Sequence, residues 1–363
     1  MVFRCALHVE IKLIQVIFST PETAVDGGMT TALQQRLLRM SAAGIGSPED
    51  VADLAAADWA NLLVMARRHR LGPLLHWRLG DDPVAKGVPK PFAEAIAANF
   101  DKHSRRVAEL QAEVSRIQRI MRENEIPAVF LRGAFLAFHV YRQPGLRPLR
   151  DLDVLVPEDQ AQEASHALRT SILRRPGRPA DQPALRIDVE FHTRLMDQPR
   201  RVDPAFDAGT WNRLISRVVA EEEIWYLSPE DQLLHLIRHA LHDDPRNCHP
   251  IVLTDIAQLV SQTGINWVQF WQLAMPGNGL IGCWLLLNLA RHFYPTIGIQ
   301  PPEGAELAPL PVDLGTVAAT LTLGEVEERQ DLARQLKLQV RNGPLQFVRE
   351  LLGQRRKTAD IVS

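Results

Sequence analysis

The stretch Asp151-Leu152-Asp153-Val154-Leu155-Val156 constrains this chain more than any other. Side chains alternate between faces along a strand, so both carboxylates point one way while Leu152, Val154 and Val156 point into a core. Two like charges held side by side cost electrostatic free energy unless a cation sits between them, and without one at least one carboxyl is expected to have a raised pKa. Hard divalent cations such as Mg²⁺ take carboxylate oxygens and substrate phosphates as ligands. The pair reads as half of a metal site.

The flanking residues extend this reading. Pro127 to Leu131 is a short apolar run suited to a buried strand, followed by Arg132-Gly133 and a helical segment to about Tyr141. Strand, glycine, helix is the order that turns backbone N–H groups toward a phosphate, and Arg132 offers a charge-assisted contact. The plainer alternative is an arginine at a strand end facing solvent. The loop from Gln143 to Arg150 sets Arg147 and Arg150 next to the carboxylates, as a triphosphate-binding rim or simply as partners of the aspartates. After a helix from Pro157 to about Leu173 and an exposed loop from Arg174 to Pro183, a third strand is expected over Leu185–His192. Its alternation puts Asp188, Glu190 and His192 on one face. Asp188 is the expected third metal ligand, because three carboxylates on adjacent strands are the minimum for two-metal phosphoryl transfer. Glu190 and His192 face the substrate, or else line an exposed edge.

A chain of 363 residues with 41 basic and 43 acidic side chains has a net charge of -2, so no overall field attracts bulk nucleic acid or a membrane surface. Cys5, Cys248 and Cys283 are few and far apart, which excludes a disulfide framework and fits a cytoplasmic protein. Glu10 and Lys12 interrupt the apolar run after Val2, so no export signal is read there. Five parts are expected: a leader over 1–28, a helical lead-in over 29–91, an α+β core over 92–225 opened by a long helix to Glu123, a helical domain over 226–297, and a linker, terminal helix near Glu325–Leu352 and basic tail over 298–363.

Ser228-Pro229-Glu230-Asp231 is a helix start, with serine to cap and acids near the dipole's positive end. The helix it opens carries His235, His239 and His242 at spacings that share a face. These histidines line a groove against the sheet or pack between helices. In a rival reading, His242-Asp243 resembles the metal-dependent phosphohydrolases built on a histidine-aspartate doublet, with His239 (or His235) and Asp255 as further ligands.

Taken together, Leu131-Arg132-Gly133-Ala134-Phe135-Leu136-Ala137, Gly145-Leu146-Arg147-Pro148 leading into Asp151-Leu152-Asp153, and Ile187-Asp188-Val189-Glu190 resemble the uncharacterised bacterial nucleotidyltransferase family of the DNA polymerase beta superfamily. The likeness extends upstream to Arg70-Leu71-Gly72-Pro73-Leu74-Leu75 and downstream to Ser228–His235, and covers about Met29 to Pro295. It implies an α+β fold with a small mixed sheet flanked by helices, Mg²⁺ or Mn²⁺, and transfer of a nucleoside monophosphate from a nucleoside triphosphate to a small-molecule or protein acceptor, with release of pyrophosphate. Asp151, Asp153 and Asp188 then form the catalytic and metal-binding set. Arg132, Gly133, Ala134, Arg147 and Arg150 form the nucleotide-binding set, and Glu190, His192, His235 and His239 face the substrate. Ala134 stands where the superfamily usually has serine, and Arg132 where the nearer family has lysine. Three classes remain open: transferase, histidine-aspartate hydrolase, and a nucleotide-binding protein without turnover.

Overall fold

Apolar residues at helical spacing dominate both flanks of the chain, and strand-forming runs fall between them. The computed structural model describes residues 29–143, 145–173, 187–195, 209–242, 248–274, 279–302 and 313–324. The leader, the loop expected over Arg174–Pro183, Asp243 and the helix expected over Glu325–Leu352 lie outside them. Helices α1 (Met29–Ala43), α2 (Ala56–Arg68), α3 (Gly72–Leu79) and α4 (Lys90–Glu123) precede strand β1 (Val129–Phe130). Then come α5 (Gly133–Phe135, continued by a π-helical turn Leu136–Val140), β2 (Asp151–Leu155), α6 (Ala161–Leu173), β3 (Asp188–His192), β4 (Ile215–Val219) and β5 (Glu222–Tyr226). The chain continues through α7 (Pro229–His242), α8 (Ile251–Thr263), α9 (Trp267–Ala274), α10 (Gly279–Phe293) and α11 (Leu314–Leu323). The expected α+β class, a small mixed sheet among helices, is what the chain adopts.

The strand order is β3-β2-β1-β5-β4. β1 runs antiparallel to β2 and parallel to β5, β2 is parallel to β3, and β4 and β5 form an antiparallel hairpin. In the β2–β3 pair Asp151 stands opposite Asp188, Asp153 opposite Glu190 and Leu155 opposite His192. Paired residues in a parallel ladder share a face, so the acidic side of β2 and that of β3 form one surface. The other face of β2 is core: Leu152 and Val154 are buried.

α4 supports this sheet. Val107, Leu110, Val114, Ile117 and Met121 recur at helical spacing and are buried, while Arg119 and Arg122 reach Glu222 at 2.8 and 2.7 Å. Those two arginines therefore anchor the hairpin rather than forming only a solvated face. The hairpin was not expected from sequence. Ala220 and Glu221, between its strands, both have positive φ (45° and 71°) without the Asn-Gly or Gly-X signal of such turns. Glu222, at the start of an alternating strand, is buried only because those arginines neutralise it.

α7 packs on α8, α9 and α10 and is hydrogen-bonded to Arg132 and Arg213, which flank the strands. Ser228 caps α7 as expected, its Oγ accepting from the Asp231 amide at 3.2 Å, and Asp231, fully buried, accepts two bonds of 2.8 Å from Arg213. Trp267, Phe270 and Trp271 are core residues. α11 was also unforeseen. Its run of Thr, Val, Ala and Leu is buried nearly all round and so lacks amphipathic periodicity, and Asp313 caps it through the Gly315 amide at 3.0 Å. Among the described residues no helix is long and apolar enough to cross a membrane.

Candidate active site

β1 ends in a sharp turn. Arg132 holds φ +37° and ψ −94°, a region side chains rarely adopt, and its amide donates to Gln232 Oε1 of α7 at 3.2 Å. That amide is thus already engaged within the protein. Gly133 follows because a Cβ there would come within 2.9 Å of Leu149 Cδ2. Leu149 belongs to the loop that leads to β2, so the glycine lets loop and turn approach and sets Asp151 and Asp153 beside the turn. Ala134 is buried and lies outside the cavity wall, so its methyl group packs in the core.

The cavity beside this turn has a volume of about 380 Å³. Its acidic wall consists of Asp151, Asp153, Glu190 and His192 from the joined faces of β2 and β3. The ligand atoms of Asp153, Glu190 and His192 all lie within 4.8 Å of one another, and among the described residues this is the group with metal-ligand spacing. Asp188, opposite Asp151, shares the face but is exposed and does not line the cavity. Asp151, Asp153, Glu190 and His192 line one cavity, while Asp188, the register partner of Asp151 on the same face, stands outside that lining.

Asp153 has two partners. Arg132 Nη2 donates to Oδ2 at 2.7 Å and His192 Nε2 lies 2.9 Å from Oδ1. Burial alone would raise the Asp153 pKa, yet the His192 bond and the Arg132 charge outweigh it and hold the carboxyl well below the usual carboxylate range. The raised pKa expected from two adjacent aspartates is therefore not found at Asp153, because Arg132 supplies the compensating charge. The residues still suit a divalent cation. Two carboxylates and an imidazole lie within 4.8 Å of one another, close to the roughly 3 to 4.2 Å between ligand atoms around an ion with bonds near ~2.1 Å, so a small approach of the side chains completes the fit. A cation entering here competes with Arg132 and His192 for the Asp153 carboxylate.

Basic residues and histidines also line the cavity. Arg70, Arg147 and Arg150 line it, with His235 and His239 of α7 and with His69 and His249, which sequence reasoning did not single out. Their contribution depends on turns distant in sequence, and no motif spacing marks it. Burial pushes His235 well below the ordinary histidine pKa and His239 down to about 3, helped in both by the Arg132 charge, so both are neutral at pH 7. His235 is buried and its Nδ1 has no hydrogen-bond partner among the described residues.

Arg147 is not a free rim cation. Its Nε and Nη2 bind Asp255 at 3.0, 3.1 and 2.9 Å, and Asp255 Oδ1 also accepts from the Tyr141 hydroxyl at 2.6 Å. Asp255, with no exposed surface, is thus the partner of Arg147 and Tyr141 and belongs to no metal-spaced group among the described residues, which do not include Asp243.

A family model described as uncharacterised nucleotidyltransferase matches residues 55–295, which span α2 through α10 and every element of the cavity. No curated protein and no solved structure matches the chain. With the cavity, its acidic wall and its glycine turn all inside the matched residues, the chain belongs to this family of uncharacterised nucleotidyltransferases.

Proposed function

We propose that this chain is a divalent-metal-dependent nucleotidyltransferase of the DNA polymerase beta superfamily. It would move a nucleoside monophosphate from a nucleoside triphosphate to an acceptor hydroxyl, releasing pyrophosphate. The observation that carries the reading is the Asp153, Glu190 and His192 group beside Asp151 and the Gly133 turn, in a cavity also lined by arginines. Asp151, Asp153 and Glu190 would hold Mg²⁺ or Mn²⁺, with His192 at hand. When bound, the cation neutralises charge on the phosphates and on the attacking oxygen. Glu190 takes the ligand position first assigned to Asp188, since it faces Asp153 across the ladder and lines the cavity.

In the reaction, the acceptor oxygen forms a bond to the α-phosphorus as the bond to the bridging oxygen breaks. Pyrophosphate leaves, and the hydroxyl proton passes to Glu190. The neutral His235 and His239 offer hydrogen-bonding groups without adding positive charge. The acceptor is a small molecule or a protein side chain. Cys248 and Cys283 are buried and form no disulfide among the described residues, which fits a reducing cytoplasm.

The test is incubation of the protein with each α-labelled nucleoside triphosphate and Mg²⁺ or Mn²⁺ in a cell extract. Label should pass to an acceptor with the wild type, and not with Asp153→Asn or Glu190→Gln. Nucleotide binding without transfer under every condition would replace the transferase with a binding protein.

A further inference from the structure

Helix α2 closes with a Leu71 N–H to Ala66 C=O bond of 2.8 Å and an Arg70 N–H to Arg67 C=O bond of 3.2 Å. This is a Schellman closure, and its left-handed residue, usually glycine, is Arg70 at φ +57°. α4 ends in the same way at Glu125, also at φ +57°, with an Ile126 N–H to Met121 C=O bond of 2.9 Å. Glu125 is exposed, so the left-handed backbone alone marks no site.

The side chain sets Arg70 apart. It is half-buried and lines the cavity together with Arg150, Asp151 and Glu190. Arg132 is bonded to Asp153 and Arg147 to Asp255, but the Arg70 guanidinium makes no hydrogen bond or ion pair among the described residues. Burial, and then the charges of Arg147 and Arg150, lower its pKa against the opposing charge of Asp151, so Arg70 stands among like charges without a bonded carboxylate. A partly dehydrated guanidinium without a carboxylate is stabilised by an anion, and its planar fork matches phosphate oxygens.

We propose that Arg70, with Arg150, binds the β- and γ-phosphates of the triphosphate, the end that leaves as pyrophosphate. This rests on the transferase reading for the identity of the ligand. As the bond from the α-phosphorus to the bridging oxygen breaks, its electron pair moves onto the departing pyrophosphate. Arg70 meets that growing charge from the helical segment that precedes the sheet.

Arg70→Gly separates this role from folding, because glycine relieves the left-handed strain while removing the charge. Affinities are measured for ATP, GTP, CTP and UTP with Mg²⁺, for the monophosphate of the best binder, and for tripolyphosphate. Wild type, Arg70→Gly, Asp153→Asn and the control Glu125→Gly are compared. Arg70→Gly is expected to weaken the triphosphate about tenfold and tripolyphosphate similarly, with the monophosphate unchanged and the melting temperature equal or higher. Glu125→Gly is expected to leave every affinity unchanged.

Triphosphate affinity unaltered by Arg70→Gly but weakened by Asp153→Asn overturns the proposal and leaves the transferase reading standing. So does an equal loss for monophosphate and triphosphate. A wild type that binds tripolyphosphate but no nucleotide overturns both, and assigns the anion site to a phosphate from another source.

Discussion

Arg132 reaches back from a left-handed backbone to place its guanidinium 2.7 Å from Asp153 Oδ2, where a metal ligand's lone pairs would otherwise be open. The side chains of both residues are nearly buried, 13% and 12% exposed, so the pair is poorly screened. Arg132 is the internal counter-ion of the acidic wall.

Removing that counter-ion should favour an external one. Arg132→Gln is expected to bind Mn²⁺ alone about tenfold more tightly than wild type, a difference of ~1.4 kcal/mol, in a titration followed by electron paramagnetic resonance. Conversely, Asp153→Asn strands the Arg132 charge and should lower metal-free stability by roughly 1–3 kcal/mol in urea unfolding. A metal-free Asp153→Asn protein as stable as wild type would show that Arg132 and Asp153 do not support each other.

Glu190 and Asp188 sit two residues apart on one strand face but differ in what they reach. Glu190→Gln is expected to reduce transfer by about 100-fold and to weaken Mn²⁺ binding, while Asp188→Asn stays within about threefold of wild type. Steady-state rates with the preferred triphosphate decide the matter. The reverse order would return the third ligand position to Asp188.

The exchange between these two acids shows where the sequence stops being informative. Alternation along β3 places Asp188, Glu190 and His192 on one face whichever is used, and only the register against β2 sets Glu190 opposite Asp153. The paired aspartates, the glycine turn, the long helix and the Ser228 cap are legible because each depends on neighbours within a few residues. Arg132 holding Asp153, Arg147 holding Asp255 and Arg213 holding Asp231 join partners 21, 108 and 18 residues apart, and charge alone does not choose among the chain's many arginines. The β4–β5 hairpin was hidden for a related reason: its turn residues adopt positive φ without glycine, and its buried Glu222 depends on arginines from a distant helix.

Asp255 provides a test of the rival chemistry. Its carboxylate joins Arg147 and Tyr141 inside the protein, so Asp255→Asn should cost about 3 kcal/mol by leaving the buried Arg147 charge uncompensated. Metal content should be unchanged in the fraction that folds, as measured by elemental analysis. Loss of a bound transition metal together with a phosphohydrolase activity would instead assign Asp255 to a histidine-aspartate centre.

The neutral histidines predict how stability depends on pH. His239 is held down to about 3, His139 to about 4, and His235 well below its ordinary value, in each case first by burial. Between the unfolded histidine value near ~6.5 and these folded values, the unfolded chain binds more protons than the native one, so stability rises with pH. The histidine contribution is complete above about pH 6.5 and is lost as pH falls toward 3, at up to ~1.4 kcal/mol per pH unit for each histidine. Asp153 has the same sign in a lower window: its pKa is depressed, so its contribution is lost only as pH falls below its unfolded value near ~3.9. Loss of stability that starts near pH 6 in the metal-free protein therefore reports histidines rather than the acidic wall. His239→Gln carries no titrating group and should show a shallower fall in urea midpoint between pH 6.5 and 4.5 than wild type. An equal slope in the variant would mean that His239 titrates in the native protein as it does in the unfolded chain, and that the wall beside Arg132 is wet enough to hold a second positive charge.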